Sequence, residues 1–281
     1  MRSGARRPST GAAFCNPREA WYIFYDERLA MSDEEPILRP GAIALITGAS
    51  SGIGAALALT LAARGVRVIA TARKSQRLAK LAARHGKAIF PLALDVTDAK
   101  ASAGIMKALP AKWRAVDILV NNAGSDVGGR RRFDEGGMAD WASTIETNVA
   151  GLMRMTHAVL PGMLARGRGH IVNLGSVAGL RPMAASVAYN TSKAAVHMFS
   201  DSLRSDLKGS PLRVSEIMPG TVRTGFAEAR WRGDKATAER FYASFEALLT
   251  VEDVVRAVVF ALEQPPHVVV AQLLLLPISQ S

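Results

Sequence analysis

Residues 42–54 constrain this chain more than any other stretch. Ala42-Ile43-Ala44-Leu45-Ile46 is an apolar run of strand length. It leads into Thr47-Gly48-Ala49-Ser50-Ser51-Gly52-Ile53-Gly54, and an Ala/Leu-rich helical stretch follows through Arg64-Gly65. A strand, a glycine turn and a helix N-terminus together present main-chain N–H groups to a diphosphate. The spacing is Gly-x-x-x-Gly-x-Gly, so the more usual Gly-x-Gly-x-x-Gly is not met literally. Gly48 is expected to make the tight turn, and Gly52 and Gly54 to let main chain and helix approach the phosphates.

Downstream, apolar runs alternate with helical stretches. Strands are expected at residues 66–71, 88–94, 115–120, 170–174, 212–217 and 268–274. A long helix is expected over about 140–166, carrying Asn148, and another from Tyr189 to about Leu207. The stretch from Pro219 to about Thr250 is too long for a connector and reads as two short helices over the site. This alternation requires a parallel sheet covered on both faces. The expected fold is therefore α/β, a single Rossmann-type doubly wound domain over residues 39–281. Residues 1–38 have no place in the pattern and read as a poorly ordered extension without catalytic consequence. Its first eighteen residues hold four arginines and no acid, a composition shared with transit peptides.

Composition narrows the function classes. With 49% hydrophobic and 21% charged residues in 281, the chain can bury one sizeable core and is not disordered. A single cysteine, Cys15, excludes a disulfide framework, and the five histidines show no ligand spacing, so no metal is expected. The net charge of +11 is spread along the chain, without a nucleic-acid motif. Its one tight run, Arg130-Arg131-Arg132, reads as a solvated loop or a contact to an anionic substrate. No apolar stretch reaches the ~18 residues of a membrane span. The expected partner is a small-molecule substrate rather than nucleic acid or membrane, and the default compartment is the cytoplasm.

The chemistry lies in Tyr189-Asn190-Thr191-Ser192-Lys193, thirteen residues after Ser176. Positions i and i+4 share a helix face, so the Tyr189 hydroxyl and the Lys193 ammonium can address one small volume. An ammonium near a phenol favours the phenolate, bringing a group of ordinary pKa ~10 toward neutral pH. Ser176 could hold a substrate oxygen between them.

Taken together, these residues make the chain resemble the short-chain dehydrogenase/reductase family from about residue 40 to 281. Asp95 after a strand, Asn121-Asn122-Ala123-Gly124, Asn148, Ser176, Tyr189, Lys193 and Pro219-Gly220-Thr221-Val222-Arg223-Thr224 stand in that family's order. Arg230-Trp231-Arg232-Gly233-Asp234 and the ending Leu276-Pro277-Ile278-Ser279-Gln280-Ser281 look like its NADP-dependent 3-hydroxy acid dehydrogenases. The resemblance implies hydride transfer between NADP(H) and a short 3-hydroxy acid or its carbonyl partner. The alternative keeps the fold and cofactor but takes another ketone or aldehyde.

By the same resemblance Tyr189 is the acid/base and Ser176 binds the reacting oxygen. Lys193 lowers the tyrosine pKa and holds the nicotinamide ribose, while Asn148 positions a water beyond it. Cofactor contacts are implied at Gly48, Ser50, Ser51, Gly52, Ile53 and Gly54, and at Asn122, Ala123 and Gly124. Asp95 and Val96 are implied at the adenine, while from the residues alone Asp95 reads equally as a turn or cap with Thr97 and Asp98. Pro219, Gly220 and Val222 are implied around the carboxamide, and Thr224 at the carboxamide or a phosphate. Where NAD-preferring relatives carry an acid this chain has Ala72, followed by Arg73 and Lys74, which favours a 2′-phosphate. Arg230 and Arg181 are candidates for a substrate carboxylate, and Gly128-Gly129-Arg130-Arg131-Arg132 departs from the subgroup. A homotetramer is the family expectation.

Overall fold

The computed structural model of the chain describes residues 36–280. The expected N-terminal extension lies outside them except for residues 36–38, of which Ile37 is buried against the core. The elements run β1 (Ile43–Ile46), α1 (Gly52–Ala63), β2 (Arg67–Ala72), α2 (Ser75–His85), β3 (Ile89–Ala93), α3 (Ala99–Ala108) and β4 (Ile118–Asn121). There follow α4 (Met138–Ile145), α5 (Leu152–Arg166), β5 (Gly169–Leu174), α6 (Val187–Asp206) and β6 (Leu212–Pro219). The last are α7 (Phe226–Arg230), α8 (Lys235–Ala243), α9 (Val251–Glu263) and β7 (Gln272–Leu275).

The strands form one sheet in the order β3-β2-β1-β4-β5-β6-β7, with every neighbouring pair parallel. Strand periodicity divides the side chains between two cores. Ala44 and Ile46 of β1 face a cluster that includes Leu57 and Leu61 of α1 and Val254 and Val258 of α9. Ile43 and Leu45 face the other, with Ile105 of α3, Met155 and Val159 of α5 and Leu203 of α6. This is the doubly wound α/β architecture expected from the alternation. Its switch point, between β1 and β4, opens a crevice at the carboxyl ends of those strands.

Two elements differ from expectation. The long helix expected over 140–166 is interrupted by a π-helical turn, Glu146–Gly151, between α4 and α5. Such turns occur mostly within α-helices and often at functional sites, and this one contains Asn148. The last strand begins at Gln272 rather than at residue 268. Arg213, buried on β6, explains the delay, because its Nη1 donates to the carbonyls of Gln264, Pro265 and Val268 at 2.8, 3.1 and 3.2 Å. The chain wraps that guanidinium before it can pair with β6.

Helix α6 is anchored on the sheet through a buried polar relay. Asn121 Nδ2 donates to Asn173 Oδ1 at 2.9 Å, and Asn173 Nδ2 donates to Ser200 Oγ on α6 at 2.9 Å. Next to it His170 is wholly buried, with Nε2 2.8 Å from Ser215 Oγ. Burial, reinforced by the nearby Arg213, lowers its pKa to about 3. The unfolded chain therefore binds a proton below about pH 6.5 that the folded protein refuses until about pH 3. Stability attributable to His170 is complete above that range and is lost as pH falls through it. His170→Gln should flatten the fall of urea-unfolding free energy between pH 6.5 and 4.5, relative to the parent, by up to about 1.4 kcal/mol per pH unit. Parallel curves for the two proteins would contradict this.

Candidate active site

The nucleotide end of the crevice is built by Thr47, which the motif reading passed over. Its Oγ1 accepts from the main-chain N–H groups of Asn122 and Ala123 at 3.0 and 2.9 Å. Asn122 Nδ2 returns to the carbonyls of Thr47 and Gly48 at 2.8 and 3.2 Å. Asn122 and Ala123 thus brace the glycine loop. A Cβ on Gly48 would lie 2.9 Å from Ala123 Cα, and one on Gly54 only 2.4 Å from Asn122 Nδ2 and 2.7 Å from the Gly48 carbonyl. Gly48 and Gly52 hold φ of +66° and +55°, a region that favours glycine. Ser51 stands at the N-cap of α1 without a side-chain cap bond. The first-turn N–H groups are therefore open to an anion. Thr224 reaches this loop from the far side, 3.7 Å from where a Gly52 Cβ would be.

At the end of β2, Arg73 and Lys74 are exposed and line a recess of about 460 Å³ together with Gln76 and Arg77. The last two were missed by sequence reasoning, which stopped at the strand end. Both lie in the first turn of α2, which opens directly after Lys74. A glycine cradle, an open helix start and a three-cation recess fit a dinucleotide bearing a 2′-phosphate.

Asp95 and Val96 follow the end of β3. Asp95 Oδ1 accepts from Thr97 N and Oγ1 at 3.0 and 2.7 Å, an Asx turn. Val96 is buried against the π-turn, where a Cβ on Gly151 would come within 2.7 Å of its Cγ2. At the other wall Gly220 N donates to the Leu275 carbonyl at 2.7 Å, and Thr221 N to Gln280 Oε1 at 3.3 Å. The C-terminal turn Ile278–Gln280 therefore braces the segment after Pro219. Val222 bridges Leu249 in parallel.

The four candidate catalytic side chains meet between these walls. Asn148 Nδ2 donates to the Ser125 carbonyl and to Ser192 Oγ, both at 2.9 Å, and its Oδ1 accepts from Ser125 N at 2.7 Å. Its amide thus clamps the loop after β4 onto α6. Ser176 Oγ accepts from Ala178 N at 3.2 Å and donates to the Pro219 carbonyl at 3.5 Å, and it acts on the Tyr189 phenol to favour its ionised form. Lys193 Nζ is buried, donates to the Leu174 carbonyl at 2.7 Å and lies 5.8 Å from the Tyr189 ring centre.

Burial dominates the electrostatics of the pair. Burial raises the Tyr189 pKa, with Asp126 adding to the rise and Ser176 and Arg230 opposing it. Lys193 gives one of its three donors to the Leu174 carbonyl, which leaves two directed elsewhere, with the Tyr189 ring centre 5.8 Å from Nζ. Burial lowers the Lys193 pKa to about 8, while Glu216 and Asp126 favour its charge.

Three further groups surround the tetrad. Glu216 is fully buried on β6, and burial raises its pKa against the opposing pull of His197, Arg204 and Lys193. His197 Nδ1 lies 2.8 Å from its Oε2. Gly175, to which the sequence assigns no role, is where the main chain passes this carboxylate: a Cβ there would lie 2.2 Å from Glu216 Oε1. Arg230 is buried, and its Nε is 2.6 Å from Asp126 Oδ2. Arg181 is exposed.

Residues 42–235 match the family described as short chain dehydrogenase. The NADP-dependent 3-hydroxy acid dehydrogenase YdfG of Salmonella typhi is 42% identical over 240 residues, 85% of this chain and 96% of that protein. Serine 3-dehydrogenase of Agrobacterium fabrum is 38% identical over 237 residues, 84% of this chain and 94% of that one. Among solved structures, the closed form of a serine dehydrogenase complexed with NADP+ superposes with a TM-score of 0.82 at 42% identity, covering 85% of this chain and 96% of that one.

The packing of Gly175 on Glu216 is open to a double-mutant cycle. Gly175→Ala alone should cost about 1–3 kcal/mol in urea unfolding, because the methyl group overpacks a carboxylate on a rigid strand. In a Glu216→Ala background the same change should be nearly neutral. Equal costs in both backgrounds would remove Glu216 as the reason for the glycine.

Proposed function

The chain belongs to the short-chain dehydrogenase/reductase family, and from that premise we propose that it is an NADP(H)-dependent oxidoreductase interconverting short 3-hydroxy acids and their carbonyl counterparts. The observation that carries the reading is the convergence of Ser176, Tyr189 and buried Lys193 beside a glycine cradle ending in a basic recess. The names of the relatives supply the substrate class. NADP(H), when bound, gives or takes the hydride at the substrate carbon.

The protein's own residues manage the proton and the developing charge. In reduction, Tyr189 donates its phenolic proton to the substrate oxygen, and Ser176 hydrogen-bonds the same oxygen more strongly as negative charge grows there. Burial keeps that phenol protonated in the absence of substrate, which suits the acid role. Lys193, charged below about pH 8, stabilises the phenolate left behind and offers its remaining N–H donors toward a cofactor ribose. Asn148 keeps the loop carrying Ser125 fixed to the helix that carries Tyr189. Arg73, Lys74 and Arg77 select the 2′-phosphate.

One observation favours the second reading, another ketone or aldehyde: Asp126 neutralises Arg230, which a hydroxy acid would otherwise use. The two separate by following NADP+ reduction at 340 nm with serine, L-allo-threonine, 3-hydroxyisobutyrate, 3-hydroxypropionate and a neutral secondary alcohol. Turnover of the acids is expected; turnover of the neutral alcohol alone would overturn the substrate class. A homotetramer is also part of the reading. Its support is the apolar surface of the helices flanking the site, with Met153 and Leu164 of α5 and Val187 and Met198 of α6 all exposed.

Tyr189→Phe should bind NADPH normally while kcat falls roughly 100- to 10,000-fold; retained turnover would remove Tyr189 from the acid role. Arg77→Ala should weaken NADPH more than NADH, as read by fluorescence titration. An equal loss for both cofactors would remove Arg77 from the 2′-phosphate site.

A further inference from the structure

Of the arginine run at 130–132, one member turns inward. Arg132 pairs with Asp134 at the surface, and Arg131 is exposed. Arg130 is half-buried, its Cζ 4.8 Å from the centre of the Phe241 ring. Arg230 approaches the same ring, with Cζ at 5.1 Å. Two guanidiniums, one from the loop after β4 and one from the end of α7, thus share one aromatic side chain of the segment over the site.

Their placement is built rather than incidental. Gly128 and Gly129 hold φ of +95° and +77°, and a Cβ on Gly129 would lie 2.9 Å from Trp231 Nε1. Gly129 N donates to the Arg230 carbonyl at 3.1 Å, and Arg131 N to that of Ala185 at 3.1 Å. Arg130 Nη2 touches Met183 Sδ at 3.5 Å. Only glycine permits both the turn and the close approach, and the turn delivers Arg130 beside Arg230.

The charges do not cancel. Asp126 Oδ2 accepts from Arg230 Nε, and among the described residues no carboxylate lies within ion-pair distance of Arg130. Arg130 Nε and Arg230 Nη1 are both buried and lack a hydrogen-bond partner among the described residues. Two adjacent like charges, one counter-charge and two idle donors call for one more anion. The cluster adjoins the reaction centre: Arg230 Cζ lies 5.6 Å from the Phe226 ring centre, which is itself 5.9 Å from that of Tyr189.

We infer that Arg130 is the specificity residue of this chain, receiving the substrate carboxylate together with the free edge of Arg230, while Asp126 holds Arg230 in place and cancels its charge. This rests on the hydroxy-acid reading above and deepens it. The expected occupant is a monocarboxylate, matching the single surplus charge, and the reactive hydroxyl then lies at Tyr189 and Ser176.

The test compares 3-hydroxyisobutyrate with its methyl ester as substrates of the full chain, in the parent, Arg130→Gln and Arg130→Lys. In the parent, kcat/KM should favour the acid. In Arg130→Gln the ratio of acid to ester should fall roughly 10- to 100-fold through a raised KM for the acid. Arg130→Lys should recover part of it. NADPH titration and thermal unfolding of each variant establish that the fold and cofactor site survive. An unchanged ratio in a folded Arg130→Gln that binds NADPH would overturn Arg130 while leaving the hydroxy-acid reading intact. A parent that binds NADPH but oxidises none of the acids would overturn that reading, and the role of Arg130 with it.

Discussion

A buried ammonium organises this protein. Lys193 has been taken out of water at the carboxyl edge of a parallel sheet, where an isolated charge is costly. The structure answers with one main-chain acceptor, the Leu174 carbonyl at 2.7 Å, and with two carboxylates, Glu216 and Asp126, arranged around it. Each answer imposes a further condition. Glu216 can lie behind the site only because residue 175 is glycine. Gly179 is similarly required, since a Cβ there would lie 2.7 Å from the Lys193 carbonyl. Asn148 can clamp the opposite loop only where its helix widens into a π-turn.

The fold, and the meeting of the four candidate side chains in one place, were legible because both are written in local patterns. Apolar runs of strand length alternating with helices leave few arrangements other than a doubly wound sheet. Tyr189 and Lys193 share a helix face by spacing alone. What was not legible depends on long-range geometry. The preference of Lys193 for the Leu174 carbonyl, nineteen residues earlier, cannot be read from a four-residue interval. The late start of β7 follows from Arg213, more than fifty residues upstream. The π-turn has no spacing signature, and Thr47 is indistinguishable in sequence from any residue at a strand end until its two partners on the β4 loop are seen.

The departures also show where this chain differs in kind from its pattern. Arg230 belongs to the segment that carries the resemblance to the hydroxy acid subgroup, whereas the run at 128–132 stands outside that resemblance. The structure joins the two through Phe241 and a main-chain hydrogen bond, so the loop outside the resemblance adds a charge to the segment within it. Specificity would then reside in loops carried by a rigid sheet, and the proton chemistry in α6 and the end of β5.

On the proposed reading a hydroxy acid lies between two fixed points, its oxygen at Tyr189 and Ser176 and its carboxylate at the arginine pair. A crystal structure of the ternary complex with NADP+ and 3-hydroxyisobutyrate tests it most directly. The account predicts the hydroxyl within hydrogen-bond distance of both Tyr189 Oη and Ser176 Oγ, and the carboxylate on Arg130. A substrate bound with its carboxylate at Tyr189 and its hydroxyl toward solvent would contradict it.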